Sequence, residues 1–347
     1  MSEAQKMDMT LADMMAQLGV QARRAARQLT TASTAQKNAA LQEAANELRA
    51  NATNILAANG EDITLAGAQN VGKARLDRIM LDEARLESIA QALEAIIRLD
   101  DPVGESIAHW QVDSGLDITR VRVPLGVIGV IYESRPNVTA DAAALCLKAG
   151  NAVILRGSSE IQNSARLIHR CFARALRTAG LDTNCVQIVD TPDRTAVGMM
   201  LGGLDGNIDV IVPRGGKGLV GRVQKEARVP VFAHLDGVCH VYVHENASLD
   251  MARNVLLNAK MRRTGICGAA ETLLVDQACA DTHLTPLISA LMDADCAVRG
   301  DEAAQKADSR VSAASEDDWY EEYLDAVIAV KTVGNIDEAV DHIAQYG

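Results

Sequence analysis

Between residues 127 and 232, short and continuously apolar runs alternate with helical patterns, and this alternation limits the possible folds more than any other feature. Strands are predicted at 127–132, 152–156, 185–189, 208–212 and 229–232, and helices at 138–149, 160–179, 194–202 and 217–227. Strands that are apolar on both sides need helices on both faces of a parallel sheet. The predicted fold class is therefore α/β, with ligands bound beyond the carboxyl ends of the strands.

The chain is predicted to be helical before this alternation and α/β after it. Residues 10–98 follow a 3.6-residue apolar period, with Thr34 and Asn59 expected at helix ends, and Pro102 stops the pattern. A hairpin or exposed ribbon is predicted at 106–122. A second α/β block begins near Cys239, with strands at 239–243, 271–275 and 325–331, helices at 285–293 and from about 336, and a polar surface excursion at 300–316.

Composition excludes several classes of protein. The 347 residues are 48% hydrophobic and carry a net charge of −12, which argues against a nucleic-acid binder and requires local positive charge around any anionic substrate. No run approaches 18 apolar residues, so no transmembrane helix is expected. The start of the chain lacks a signal-peptide pattern, and a cytoplasmic location is expected.

The seven cysteines are scattered, odd in number and without a CxxC pair. A disulfide framework, structural zinc and any other metal site are therefore not predicted, and a reducing compartment is favoured. Cys267 differs from the others because Gly, Thr and Arg residues surround it instead of Leu and Val. Small neighbours leave room for a substrate carbon, and Arg262 and Arg263 favour a thiolate, so we predict a nucleophile that forms a thioester.

A phosphate-binding loop is predicted at 212–219, after a buried strand and at the start of a helix. Backbone N–H groups at Gly215 and Gly216 can approach a phosphate closely, and Arg214 and Lys217 add positive charge. The pattern is neither a Walker A motif nor GxGxxG. An ordinary glycine-rich turn between a strand and a helix is the alternative.

Two further loops follow predicted strands. Arg156 and Ser158 at the end of the 152–156 strand suit a ribose phosphate, which favours NADP, although Ser158 or Ser159 could equally cap a helix. Asn137, after the 127–132 strand, could donate a hydrogen bond to a developing oxyanion. Taken alone, Asn137 reads better as a helix cap.

The order of these motifs resembles the aldehyde dehydrogenase superfamily. An Arg-Pro-Asn turn at 135–137 comes first, followed by Leu-Arg-Gly at 155–157, Pro-Arg-Gly-Gly at 213–216 and finally Cys267. Within the superfamily the chain is similar to the branch of glutamate-5-semialdehyde dehydrogenases, also called gamma-glutamyl phosphate reductases. The matching residues are 123–139, 146–157, 211–216, 237–243 and 271–275, and the resemblance spans essentially the whole chain.

The resemblance implies a Rossmann-type cofactor domain over 1–236, with an oligomerisation ribbon at about 107–123, and a smaller catalytic domain over 237–347. It implies NADPH-dependent reduction of gamma-glutamyl phosphate (L-glutamate 5-phosphate) to L-glutamate 5-semialdehyde with release of phosphate, in proline biosynthesis. Matched by position, Cys267 is the nucleophile and Asn137 the oxyanion donor. Arg156 and Ser158 fall at the adenosine ribose, and 214–218 at the pyrophosphate.

We expect Arg262 and Arg263 to contact the substrate's carboxylate or phosphate, although solvent-facing charge is the plain alternative. The partners implied are a small-molecule substrate and further copies of the chain, without nucleic acid or membrane.

Two departures from the superfamily pattern are informative. Hydrolytic members carry a water-activating Glu in a Glu-Leu-Gly-Gly turn, whereas the matching turn here is 234–237 with His234 in place of that Glu. The difference agrees with passing a thioester to hydride, and leaves His234 or Asp236 as a minority candidate for a base. The chain also stops inside a family signature that opens at 333–347, so a further C-terminal stretch is expected to be missing. An NAD-linked aldehyde oxidiser and a non-catalytic oligomeric subunit remain the alternative functions.

Overall fold

The computed structural model describes residues 10–68 and 73–347, without the side chains of residues 73 and 74. The chain divides into two compact units, Met1–Ala233 and His234–Gly347. Each unit contains a parallel sheet with helices, as the predicted α/β class requires.

Among the described residues of the first unit, five helices come before the first strand, as predicted for residues 10–98. They are α1 (Leu11–Leu29), α2 (Thr34–Ala50), α3 (Ala52–Ala68), α4 (Lys73–Ile79) and α5 (Glu83–Ile97). Thr10 and Ser33 form capping boxes that satisfy the first N–H groups of α1 and α2. The expected helix end at Asn59 is wrong: Asn59 lies inside α3, fully buried, where its amide binds the main chain at Ile79 and Leu81.

A two-stranded antiparallel hairpin follows, formed by β1 (Ser106–Gln111) and β2 (Asp117–Val121). The ribbon predicted at 106–122 is confirmed. Every residue of β1 is exposed, so the hairpin packs little of its surface against the described chain.

The first sheet is parallel and four-stranded, and it confirms most of the predicted alternation. Its strands are β3 (Val127–Tyr132), β4 (Ala152–Arg156), β5 (Val186–Ile188) and β6 (Val210–Arg214), in the order β5-β4-β3-β6. The helices between and after them are α6 (Pro136–Lys148), α7 (Gln162–Thr178), α8 (Thr195–Leu201) and α9 (Lys217–Glu226). The predicted strand at 229–232 is only an isolated bridge between Ile211 and Val231.

The second sheet is parallel and five-stranded, in the order β10-β9-β11-β8-β7. Its strands are β7 (Cys239–Val243), β8 (Ala270–Asp276), β9 (Ala297–Gly300), β10 (Ser312–Ala313) and β11 (Val327–Val333). The accompanying helices are α10 (Leu249–Met261), α11 (Ala280–Asp293), α12 (Glu302–Ala307), α13 (Glu316–Trp319) and α14 (Ile336–Tyr346).

The segment predicted as a surface excursion at 300–316 is largely exposed or half-buried, but it also contributes α12 and β10 to the second unit. Two of its polar residues serve as caps: the Asp301 carboxylate accepts from the Ala304 N–H, and Ser315 forms a capping box with Asp318. Ala304 meanwhile packs fully buried in the core. In the part of the chain that the structure describes, no helix combines the length and apolar character needed to cross a bilayer.

Candidate active site

The strand order of the first sheet places two of the predicted loops side by side. The chain adds β4 and β5 on one side of β3 and then β6 on its other side. Dinucleotides bind in sheets of this topology at the position where the order of strands switches sides, which is here between β3 and β6. The loop after β3 meets the loop after β6 there, since the Glu133 N–H donates to the Arg214 carbonyl at 3.0 Å. A Cβ built on Gly215 would lie 2.6 Å from the Glu133 side chain, so glycine permits the close approach.

The loop after β6 has the features of an anion-binding helix start. Gly216 is the N-cap residue of α9 and has no side chain to accept from the first N–H groups, which leaves room for an oxygen of a ligand. Arg214 and Lys217 are both exposed beside it. These residues fit the phosphates of a nucleotide cofactor.

Arg156 ends β4 but points its guanidinium back at the protein. The residue is only 6% exposed, and its guanidinium donates to the main-chain carbonyls of Gly157 and Pro192. Burial is the main reason that the pKa of Arg156 is lowered. Its Nε is buried and has no partner among the described residues, which leaves one donor for a further acceptor.

Ser158 caps the short 3₁₀ turn at Ser159–Ile161, so the capping alternative is present in the structure. Its hydroxyl accepts from the Glu160 N–H at 3.1 Å and lies 3.3 Å from the Ser134 hydroxyl, which joins the loops after β3 and β4.

Glu160 was not among the residues predicted from the sequence. Its carboxylate accepts from Ser134 and pairs with Arg75 at 3.0 Å. A carboxylate near the end of the second strand was the signal that could have found it, because such a group can bind ribose hydroxyls.

Asn137 occupies the second position of α6, after Pro136 at the first. It is not the helix cap that the sequence suggested, since Arg135 holds that position and makes no side-chain capping bond. The Asn137 amide donates to the Asp141 carboxylate at 2.9 Å, and burial raises the pKa of Asp141. Asn137 belongs to the first unit and Cys267 to the second.

Cys267 lies at the tip of a tight turn between α10 and β8. The turn is closed by the Ala269 N–H, which donates to the Ile266 carbonyl at 2.9 Å. Among the seven cysteines, all of which the structure describes, Cys267 alone is exposed. Burial is the leading cause that raises the pKa of each of the other six thiols, listed as Cys146, Cys171, Cys185, Cys239, Cys279 and Cys296. Cys267 is therefore the thiol most open to an electrophile.

The turn that departs from the superfamily pattern lies against the Cys267 loop. A Cβ built on Gly237 would lie 2.9 Å from His234 Nε2 and 3.3 Å from the Cys267 carbonyl oxygen. His234 and Asp236 are exposed. The second unit thus brings His234 and the nucleophile candidate to the same glycine.

Arg262 and Arg263 begin the same loop, where Arg262 caps the C-terminal end of α10. Both residues are exposed, and within the described ranges neither guanidinium has a hydrogen-bond or ion-pair partner. They are available to an anionic ligand that approaches Cys267.

Comparison with known proteins accounts for this combination of sheet, loops and cysteine. The model of the "Aldehyde dehydrogenase family" matches residues 5–335. The chain belongs to the aldehyde dehydrogenase family. The predicted resemblance and fold class are confirmed, and the nicotinamide cofactor of this family agrees with the glycine-lined loops at the β3–β6 junction.

Relatives within this family are close. A gamma-glutamyl phosphate reductase of Parvibaculum lavamentivorans is 60% identical over 99% of this chain and 81% of that protein. One from Rhodopseudomonas palustris is 58% identical over 97% of the chain and 78% of that protein. The crystal structure of gamma-glutamyl phosphate reductase from Thermotoga maritima superposes with a TM-score of 0.90 at 40% identity, over 96% of this chain and 80% of that one.

Proposed function

We propose that this protein catalyses the NADPH-dependent reduction of L-glutamate 5-phosphate to L-glutamate 5-semialdehyde with release of phosphate. The observation that carries the proposal is the 60% identity, over 99% of the chain, to a protein named for this reaction. The exposed Cys267 turn supports it, because reduction of an acyl phosphate needs a nucleophile that can hold the acyl group.

Cys267 carries the covalent step. Its sulfur attacks the acyl-phosphate carbonyl, a C–S bond forms, and the C–O bond to phosphate breaks with release of inorganic phosphate. When bound, the nicotinamide cofactor supplies the hydride that the thioester carbonyl accepts. The C–S bond then breaks, the aldehyde leaves, and the thiolate is restored.

Asn137 is the proposed oxyanion donor. Its amide N–H would leave the Asp141 carboxylate, to which it donates at 2.9 Å, or share the donor with the substrate oxygen. One such donor is typically worth roughly 3 to 4 kcal/mol in the transition state. Arg262 and Arg263 are proposed to bind the substrate's carboxylate and phosphate, since both are exposed on the Cys267 loop.

We propose that Arg156, Ser158 and the loop at 214–217 give the protein its preference for NADPH. The Arg156 guanidinium would have to turn outward to reach an extra phosphate on the ribose, which the Ser158 hydroxyl and the exposed Arg214 and Lys217 would also bind. The Glu160 carboxylate, which could bind free ribose hydroxyls, is already engaged by Arg75 and Ser134.

His234 occupies the place of the water-activating Glu of hydrolytic relatives, which supports reduction over aldehyde oxidation. The product's amine is positioned to close a five-membered ring on its own aldehyde, so cyclisation to 1-pyrroline-5-carboxylate needs no enzyme. The proposed place of the reaction is the second step of proline biosynthesis from glutamate, in the cytoplasm.

We further propose that the protein is a homo-oligomer that assembles through the β1–β2 hairpin. An isolated two-stranded hairpin is marginally stable in water, yet every residue of β1 is exposed. A second copy that adds to its edge would complete the backbone hydrogen bonding.

The test is a steady-state assay of the wild type beside Cys267→Ala, with NADPH and NADH. Loss of turnover by at least about a thousandfold in the variant is expected. In the oxidative direction, activity should require phosphate or arsenate. Turnover without phosphate would instead identify an aldehyde oxidiser, and cofactor binding without any turnover would identify a non-catalytic subunit.

A further inference from the structure

A fully buried ion pair closes the loop that carries Cys267. Lys260 Nζ lies 2.6 Å from Glu271 Oε2, and both side chains are 0% exposed. Lys260 belongs to the last turn of α10, and Glu271 is the second residue of β8. The pair therefore fastens both ends of the segment that contains the two exposed arginines and the cysteine.

Stability alone does not account for this pair. Taking a carboxylate and an ammonium out of water costs several kcal/mol for each ion, and well-packed apolar side chains often serve a core as well or better. Burial is the largest influence on Glu271 and raises the pKa of its carboxyl, while the hydrogen bond from Lys260 opposes it. In some proteins a buried ion pair instead fixes the geometry between the segments that it joins.

The second oxygen of Glu271 fixes a third segment. Glu271 Oε1 accepts from the Leu324 N–H at 3.3 Å. Leu324 has a φ of 52°, which is a left-handed conformation that a leucine adopts only at a cost of about 1 kcal/mol or more. A buried carboxylate that binds its N–H helps to hold this residue in place.

The turn that contains Leu324 itself lies against the loop that carries Cys267. A Cβ built on Gly265 would lie 3.7 Å from the Leu324 carbonyl oxygen, and Gly265 precedes Cys267 by two positions. Glu271 thus connects the end of α10, the start of β8 and the turn that backs the loop.

We propose that Glu271, together with Lys260, is a positioning residue that sets the path of the 261–269 loop and thereby the placement of the Cys267 thiol. The proposal rests on the proposed function in one respect, namely that Cys267 is the nucleophile. Neither charged group touches the substrate; both act through the main chain of the loop.

The deciding variant is Lys260→Met with Glu271→Leu, which removes both charges and leaves neither ion unpaired. We expect it to fold, to keep its KM for NADPH, and to lose about tenfold or more in kcat, because small displacements of a reacting group are costly. We also expect the second-order rate of Cys267 alkylation by iodoacetamide to change several-fold. This rate reports the reactivity of the thiol independently of turnover. Glu271→Asp, which keeps the charge with a shorter reach, should fall between this variant and wild type.

The matched control is a second lysine–carboxylate pair with a 2.6 Å contact and a buried lysine, Lys37 and Asp101 in the first unit. Lys37→Met with Asp101→Leu removes a comparable pair and should leave kcat and the alkylation rate of Cys267 unchanged.

The proposal would be overturned if kcat and the alkylation rate of the Lys260/Glu271 variant stayed within about twofold of wild type, because neutral substitutions vary by about that much. Should the double variant not fold, Glu271→Asp decides on the same two measurements. Retained activity in Cys267→Ala would contradict the proposed function itself. Inactive Cys267→Ala beside a fully active pair variant would remove only the positioning role.

Discussion

The thiol of Cys239 donates a hydrogen bond of 3.3 Å to the main-chain carbonyl of Cys267. Two cysteines therefore lie at the candidate site, and only one of them is exposed. Cys239 begins β7, and burial raises the pKa of its thiol, with Cys267 as the next cause. Cys267 is therefore the candidate nucleophile, and Cys239 is a neighbour that supports the Cys267 loop.

Cys239→Ala should therefore retain most of the reductase activity. A thiol is a weak donor, so the lost bond is worth about 0.5 kcal/mol, or a change of about twofold in kcat/KM. Cys239→Ser, which keeps a donor, should be closer to wild type. The measurement is steady-state kinetics of the two variants. A loss of activity in Cys239→Ala as large as that in Cys267→Ala would mean that Cys239 is the nucleophile.

Selective alkylation of Cys267 is a second expectation. The other six thiols are shielded, and burial raises their pKa values, to about 12 in Cys146 and Cys185. One equivalent of iodoacetamide should consequently modify Cys267 first and abolish turnover in proportion. Peptide mapping by mass spectrometry gives the site, Cys267→Ala is the control, and a first label on any other cysteine contradicts the expectation.

The glycine at the junction of the β3 and β6 loops gives a third prediction. Gly215→Ala would place a Cβ 2.6 Å from Glu133, which forces that side chain or the loop to move. A strain of about 1 to 2 kcal/mol corresponds to an NADPH affinity about tenfold weaker. Gly221→Ala, with no atom within 4 Å of the new Cβ, is the matched control inside α9.

NADPH binding is measured by fluorescence titration, and Cys267 alkylation serves as a check that the second unit is intact. Equal affinities in Gly215→Ala and Gly221→Ala would mean that the β3–β6 junction does not hold the cofactor.

The sequence predicted β3 and β4 well because both strands are nearly uninterrupted apolar runs. Such a run reports burial on both faces without any knowledge of the partners, and β3 and β4 were predicted with their observed bounds. The loop at 212–219 was selected as a phosphate-binding candidate for a related reason, because glycines and basic residues after a strand are visible locally.

At two helices a buried polar residue misled the prediction. In α10 the core-facing positions are Ala252, Leu256 and Lys260, and the lysine interrupts the apolar period that would have predicted the helix. Asn59 was similarly read as a helix end. Both residues are satisfied by partners elsewhere in the fold, Glu271 for Lys260 and Ile79 for Asn59, and such pairings are not visible in a local pattern.

His342 gives a fourth prediction, on pH. Its ring is buried beside Lys331, whose Nζ lies 3.4 Å from Nδ1, and beside His240, with ring centroids 5.4 Å apart. Burial first, then Lys331 and His240, lower the pKa of His342 to about 4, against smaller opposing effects of Glu316 and Glu338. The unfolded chain binds this proton near pH 6.5, so stability should fall as the pH drops from about 6.5 to about 4, by at most about 3 kcal/mol.

Trp319 reports on this site, since its ring lies 5.6 Å from that of His342. Urea unfolding followed by Trp319 fluorescence in a Trp110→Phe background should show the loss in wild type. His342→Phe should reduce the slope between pH 6.5 and 4, and Lys331→Met should move the pKa of His342 upward. An unchanged slope in His342→Phe would assign the acid sensitivity to other groups.

The hairpin gives the last prediction, on assembly. Ile107 and Trp110 on β1 are 48% and 43% exposed, an unusual placement for large apolar side chains on a strand that has one open edge. If a second copy covers them, Ile107→Ser with Trp110→Ser should lower the mass measured by light scattering to that of a single chain. Circular dichroism should change little, because within the described residues β1 pairs only with β2. Leu65→Ser, which removes an exposed apolar side chain from α3, should leave the mass unchanged. A wild-type chain that is already monomeric, or an oligomer that persists in the hairpin variant, would rule the hairpin out as the interface.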